Sequence, residues 1–88
     1  MPHTYEGVLQ HIIGYLHDTL EGSPEVHENS RLIEDLSVDS LKAFETVGDM
    51  EDYYQIVVPL EILQQRRIQT VSDLAKEVAR LLDKKRSA

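Results

Sequence analysis

The 88-residue sequence contains no cysteine. Disulfides and thiolate metal sites are therefore excluded, and a domain this small without covalent staples depends on close packing. No apolar run approaches the roughly 20 residues needed to span a membrane. The opening stretch MPHTYEG has no basic region followed by an apolar run, so no secretory leader is read and a cytoplasmic protein is expected. Basic residues are scarce as well: nine Lys and Arg stand against sixteen Asp and Glu, for a formal net charge of −7. That balance excludes nucleic acid, whose phosphates need a basic face. It suits protein partners with basic patches, reached by electrostatic steering. The length bounds the chain to one domain, 1–88, expected as a monomer. Such a domain buries only about 60% of its unfolded surface. It has no room for a deep pocket together with a separate catalytic apparatus.

The charge is unevenly spread. Residues 34–52 carry seven acids (Glu34, Asp35, Asp39, Glu45, Asp49, Glu51, Asp52) and one base, Lys42. Residues 66–88 carry seven bases against three acids. Ordinary solvated helix faces account for such a split equally well.

Periodicity gives the elements. Tyr5, Val8, Leu9, Ile12, Ile13, Leu16 and Leu20 recur at helical spacing, so a helix is expected over about 4–20, capped by Thr4 and ended by Gly22-Ser23-Pro24. A long loop follows, in which Leu32, Ile33 and Leu36 are expected to plug onto the core. A second helix is expected over about 40–54, capped by Asp39 or Ser37. Ile56, Val57 and Val58 read as a core-packing connector. A short helix over about 60–65 can start at Pro59, and a last one runs over about 70–82 from Thr70-Val71-Ser72-Asp73, a capping box with Asp in place of Glu. The run Lys84-Lys85-Arg86 suits the negative end of that helix's dipole, with a frayed tail beyond. The fold class is all-α: a four-helix bundle of three longer helices and one short, with a long first loop.

On a wheel of about 100° per residue, the second helix has two apolar faces. Ala43, Thr46, Val47, Met50 and Tyr54 gather on one side, which is the core face. Leu41, Phe44, Glu45, Gly48 and Asp52 gather on the other. A helix in so small a domain rarely buries both sides, so Leu41 and Phe44 are expected in solvent among carboxylates. An apolar centre with a charged rim fits protein docking, although single exposed apolar residues are also routine.

Ser40 follows Asp39 at the start of this helix. Taken alone, Asp-Ser at that place is most simply a cap. No His is arranged as a general base, and no G-x-S-x-G elbow is present, so Ser40 is not read as a hydrolase nucleophile. A helix N-terminus offers free amides and a positive dipole end, and both favour a phosphate ester there.

In these residues the sequence resembles the acyl carrier protein family. Asp39-Ser40-Leu41 looks like the family's attachment motif, and Leu32-Ile33-Glu34-Asp35-Leu36 like its approach. Glu45, Val47, Met50, Glu51, Asp52, Tyr54, Val58 and Pro59 fall in step with its second helix and exit, and Ile68-Gln69-Thr70-Val71 with its entry to the last helix. The resemblance implies that Ser40 receives 4′-phosphopantetheine from coenzyme A through a Mg²⁺-dependent phosphopantetheinyl transferase. The arm's thiol then carries acyl groups as thioesters. Asp39 is implied to help hold the metal during loading. Leu41, Phe44, Glu45, Gly48 and Asp52 are implied to be the face that docks acyl-loading and acyl-transferring enzymes through their basic patches. No catalytic activity of the chain's own is implied.

Some residues depart from the family pattern. Ser37 stands where Gly is common, Lys42 replaces a frequent acid, Gly48 replaces a larger apolar residue, and Thr46 puts a hydroxyl on the core side. They argue against the housekeeping carrier of fatty-acid biosynthesis and for a specialised carrier in lipid or secondary-metabolite synthesis. Two alternatives stay open: a carrier of aminoacyl or peptidyl groups, and an unmodified interaction module. The four His residues (His3, His11, His17, His27) lack metal-ligand spacing, so no metal site is expected.

Overall fold

In a computed structural model of the protein, residues 5–59, 61–62 and 68–87 are described. Among the described residues three long helices stand out: α1, Tyr5–Thr19; α2, Ser40–Tyr54; and α3, Val71–Ser87; residues 61 and 62 are helical as well. Among the described residues there is no strand, and one isolated antiparallel bridge joins Arg31 to Thr70. The expected cap Thr4 lies outside the described residues, as does the short helix expected over 60–65 apart from residues 61 and 62.

One face of α1 is buried through Val8, Leu9, Ile12 and Leu16, the i, i+1, i+4, i+8 spacing of a stripe on a 3.6-residue period. This stripe packs chiefly against α3 and less against α2. From α3 it meets Val71, Leu74, Ala75, Val78 and Leu82 in one apolar cluster, to which α2 contributes Val47, Met50 and Tyr54. Burying such side chains contributes about 1.5–3 kcal/mol each relative to leaving them exposed. Gly22, at φ 83°, turns the chain out of α1, a left-handed conformation that costs glycine nothing sterically.

The long loop is held by backbone bonds to the entry of α3 as well as by apolar plugs. The Leu32 amide donates to the Gln69 carbonyl (2.8 Å), the Val71 amide to Ser30 (3.0 Å) and the Ser72 amide to Glu28 (2.9 Å). Tyr5 adds a side-chain tie, its hydroxyl lying 2.7 Å from both Glu28 Oε2 and Ser72 Oγ. Val26, Leu36 and Val38 are buried. Ile33 is not: it is 70% exposed, against the expectation that it plugs the core. The reason is a single helical turn over 31–37, in which Asp35 and Leu36 amides donate to Arg31 O and the Ser37 amide to Ile33 O. Leu32 and Leu36, four residues apart, share the inner side of that turn, which leaves Ile33 outside. The connector after α2 divides likewise, with Ile56 and Val58 buried and Val57 exposed.

Two caps seen in the sequence have their geometry here. Thr70 Oγ1 accepts from the Asp73 amide (3.1 Å), and Asp73 Oδ2 accepts from the amides of Thr70 (3.1 Å) and Gln69 (3.0 Å). These donors, the Gln69 amide first, hold the Asp73 carboxyl below its ordinary range. At its far end α3 runs on to Ser87 instead of stopping near 82. The basic run there is helical, and Lys85 Nζ reaches the end of α2, donating to the carbonyls of Tyr54 (3.2 Å) and Gln55 (2.7 Å).

Candidate functional site

The site grows from the turn that feeds α2. Ser37 sits at φ 55°, in the left-handed region, which costs a residue with a Cβ about 1–2 kcal/mol. That turn drives Val38 into the core and brings Asp39 and Ser40 out to solvent. Asp39, extended at φ −89° and ψ −178°, is the N-cap: its Oδ1 accepts the Lys42 amide at 2.8 Å, and its carbonyl accepts the Ala43 amide at 2.9 Å. Ser37 is therefore not the cap. Its role is to turn the chain one step earlier.

Ser40 is the first residue of α2 and is exposed. Among the described residues no acceptor takes the amides of Ser40 and Leu41, as is usual at a helix start. The hydroxyl thus stands at the positive end of the α2 dipole beside free N–H donors. That is the setting a phosphodiester on this oxygen requires, so the residues present fit a covalently held phosphopantetheine.

The outer face of α2 carries Leu41 (68% exposed) and Phe44 (54% exposed), with Glu45 and Asp52 in solvent and Gly48 half-buried between them. Around Gly48 the space is open: a Cβ there would meet nothing within 4 Å. The inner face buries Thr46, Val47, Met50 and Tyr54. The Thr46 hydroxyl donates to the Lys42 carbonyl at 2.8 Å, which satisfies the polar group on the core side.

Several acids of residues 34–52 are engaged internally. Asp49 Oδ2 lies 2.8 Å from His11 Nε2, and Glu51 Oε2 accepts the Val58 amide at 2.9 Å. Asp35 accepts the Arg31 amide at 2.8 Å, the main cause of its lowered pKa. Glu34, Glu45 and Asp52 are left to face solvent. Lys42, the departure noted above, has its ammonium 5.1 Å from the Tyr15 ring centroid and 3.8 Å from Glu45 Oε1. Burial is the main cause of the raised Tyr15 pKa, and the charges of Asp49 and Glu45 add to it. Among the described residues no group of three His, Asp or Glu converges on a metal position.

Sequence reasoning missed the wall opposite Asp39 and Leu41. Thr19, Leu20 and Pro24, from the end of α1 and the loop after it, face Ser37, Asp39, Leu41 and Lys42 across a groove. No local pattern announces this, because the two walls are about 20 residues apart in the chain.

Ser40 thus lies exposed at the opening tip of α2. Residues 10–78 match the family described as the phosphopantetheine attachment site, and the chain belongs to that family. Its domains carry covalently attached 4′-phosphopantetheine, so the chain is a phosphopantetheine carrier of the acyl-carrier type. Such carriers interact with a phosphopantetheinyl transferase and with partner enzymes. A search of curated proteins returned no match to the chain. Among the described residues no helix is long and apolar enough to cross a membrane.

Proposed function

We propose that Ser40 is the attachment residue and that the protein is an acyl carrier, holding acyl groups as thioesters on its arm and delivering them to partner enzymes. The observation that carries the reading is the exposed Ser40 at the first position of α2, beside amides with no acceptor among the described residues. In loading, Ser40 Oγ bonds to the phosphorus of coenzyme A that bears the pantetheine. The bond to the adenosine bisphosphate breaks, and the hydroxyl proton passes to a base of the transferase. The chain's own part is to present the oxygen, with Asp39 placed to share in holding the transferase's Mg²⁺ while it caps α2.

Leu41, Phe44, Glu45, Gly48 and Asp52 form the docking face in this reading: an apolar centre with two carboxylates at its rim, complementary to basic patches. The chain supplies no catalysis, and its place is a specialised lipid or secondary-metabolite pathway in the cytoplasm, acting as a monomer. The acidic rim favours acyl over aminoacyl or peptidyl cargo. Incubation with coenzyme A, Mg²⁺ and a broad-specificity transferase is expected to add one phosphopantetheine by mass, and Ser40→Ala to abolish the gain. A wild-type chain that gains no mass would make this an unmodified interaction module. Competition between acyl and aminoacyl donors on the loaded protein then decides the cargo; preferential aminoacyl loading overturns the acyl assignment.

A further inference from the structure

A groove of about 540 Å³ runs beside Ser40, between the end of α1 and the start of α2. We infer that it is the resting seat of the phosphopantetheine arm, which folds back into it when no partner holds the thiol end. The inference rests on Ser40 being the attachment residue.

Position comes first. Both chain neighbours of Ser40, Asp39 and Leu41, are part of the groove wall. A tethered group meets such a wall at an effective concentration in the millimolar range, so contacts too weak to hold a free ligand suffice.

Size comes second. The volume lies within the range of about 300–1,000 Å³ typical of small-ligand sites. An apolar void among the described residues, bounded by Leu16, Leu32, Val47 and Leu74, is about 30 Å³. That is about a tenth of the roughly 300 Å³ at which small-ligand sites begin. An arm or acyl chain entering there displaces packed side chains; in the groove it displaces only water.

Chemistry comes third. The arm carries a gem-dimethyl group, a hydroxyl and two amides behind a phosphodiester. Leu20, Pro24 and Leu41 offer carbon surface to the first, and Thr19 and Ser37 offer hydroxyls to the others. Lys42 is the one cation among the described lining residues. Its side chain is 15% exposed, and Tyr15 and Glu45 hold it beside the groove. There it offsets part of the negative field that the four lining carboxylates, Glu21, Asp35, Asp39 and Glu45, set against a phosphodiester, and it can donate to an amide carbonyl.

The test uses the full chain loaded at Ser40 with an isotope-labelled arm and followed by NMR. Nuclear Overhauser contacts are expected from the gem-dimethyl protons to the methyls of Thr19 and Leu20. The amides of Thr19 to Glu21, far from Ser40 in sequence, should shift between apo and holo forms. Lys42→Glu should abolish both signals while mass spectrometry still shows the arm in place, and Lys42→Arg should keep them. If the Glu variant loses its folded spectrum, the wild-type contacts decide alone. A loaded wild-type protein with no contact to Thr19 or Leu20, or with contacts to Leu32 and Ile68 instead, overturns the inference. Failure to load at all overturns the attachment assignment and not the groove.

Discussion

The two ends of α2 are built in opposite ways. At its closing end, Gln55 takes a left-handed cap (φ 56°, ψ 52°), and its amide donates to the Glu51 carbonyl. Lys85 from α3 covers the last carbonyls, Glu51 ties down Val58, and His11 pairs with Asp49 while stacking 4.3 Å from the Tyr53 ring. At its opening end the Asp39 side chain caps the Lys42 amide, the amides of Ser40 and Leu41 have no acceptor among the described residues, and the approach turns through a left-handed Ser37. Ser40 is exposed among the described residues. The helix is anchored where it leaves the site and open where it presents it. If Ser40 is the attachment residue, as proposed, a transferase reaches an exposed hydroxyl whose helix is anchored at its other end.

The sharpest way to break this contrast is to remove the anchor. Met50 is fully buried in the closing half of α2. Met50→Ala should cost about 2–5 kcal/mol, a large share of a domain whose whole stability is on the order of 5–15 kcal/mol. Ser40→Ala should leave the denaturation midpoint unchanged within error. Chemical unfolding of the two variants side by side checks it. If Ser40→Ala destabilises comparably, the opening end is structural after all.

Lys85→Met comes next. It keeps the aliphatic stem and removes the donor to Tyr54 O and Gln55 O. A loss of about 0.5–1 kcal/mol is expected, since Lys85 is exposed and its two bonds lie at the surface end of the helix. Hydrogen exchange should quicken for the amides at the closing end of α2 and not for those near Ser40. Uniform quickening along α2 means the ends are not independent.

Much of this architecture was legible in local sequence. The two faces of α2 follow from its 3.6-residue period, so Leu41 and Phe44 could be placed outside and Met50 inside. Asp39 and the Thr70–Asp73 box are caps whose chemistry is contained within four residues. What stayed hidden was long-range. Ile33 looked like core because it is apolar and sits between Leu32 and Leu36; only the helical turn over 31–37 sends it outward. Lys85 looked like a charge for its own helix's dipole, yet it serves α2, 30 residues earlier. The groove needs both α1 and α2 in place before it exists.

Gly48 sharpens the contrast from the docking side. With nothing within 4 Å of an added Cβ, Gly48→Ala should stabilise the isolated domain by about 1 kcal/mol through helix propensity alone. A natural helix that forgoes this gain in the middle of an exposed face points to close approach of a partner backbone. The variant should therefore melt higher yet bind its transferase or synthase more weakly in titration. Equal or tighter binding would remove Gly48 from the docking face.

At Ser37 two effects oppose each other. Its left-handed backbone favours replacement by glycine, by about 1–2 kcal/mol. Glycine also gives the unfolded chain more freedom, which costs about 0.4–1 kcal/mol. Ser37→Gly should therefore stabilise by no more than about 1.5 kcal/mol. Its effect should show in motion: NMR order parameters for Ser40 and Leu41 should fall while those at Tyr54 and Gln55 hold. The serine would then be what keeps the opening end of α2 in one orientation while leaving it uncovered. If order at Ser40 is unchanged, the fixed presentation of the hydroxyl comes from Asp39 and buried Val38 instead.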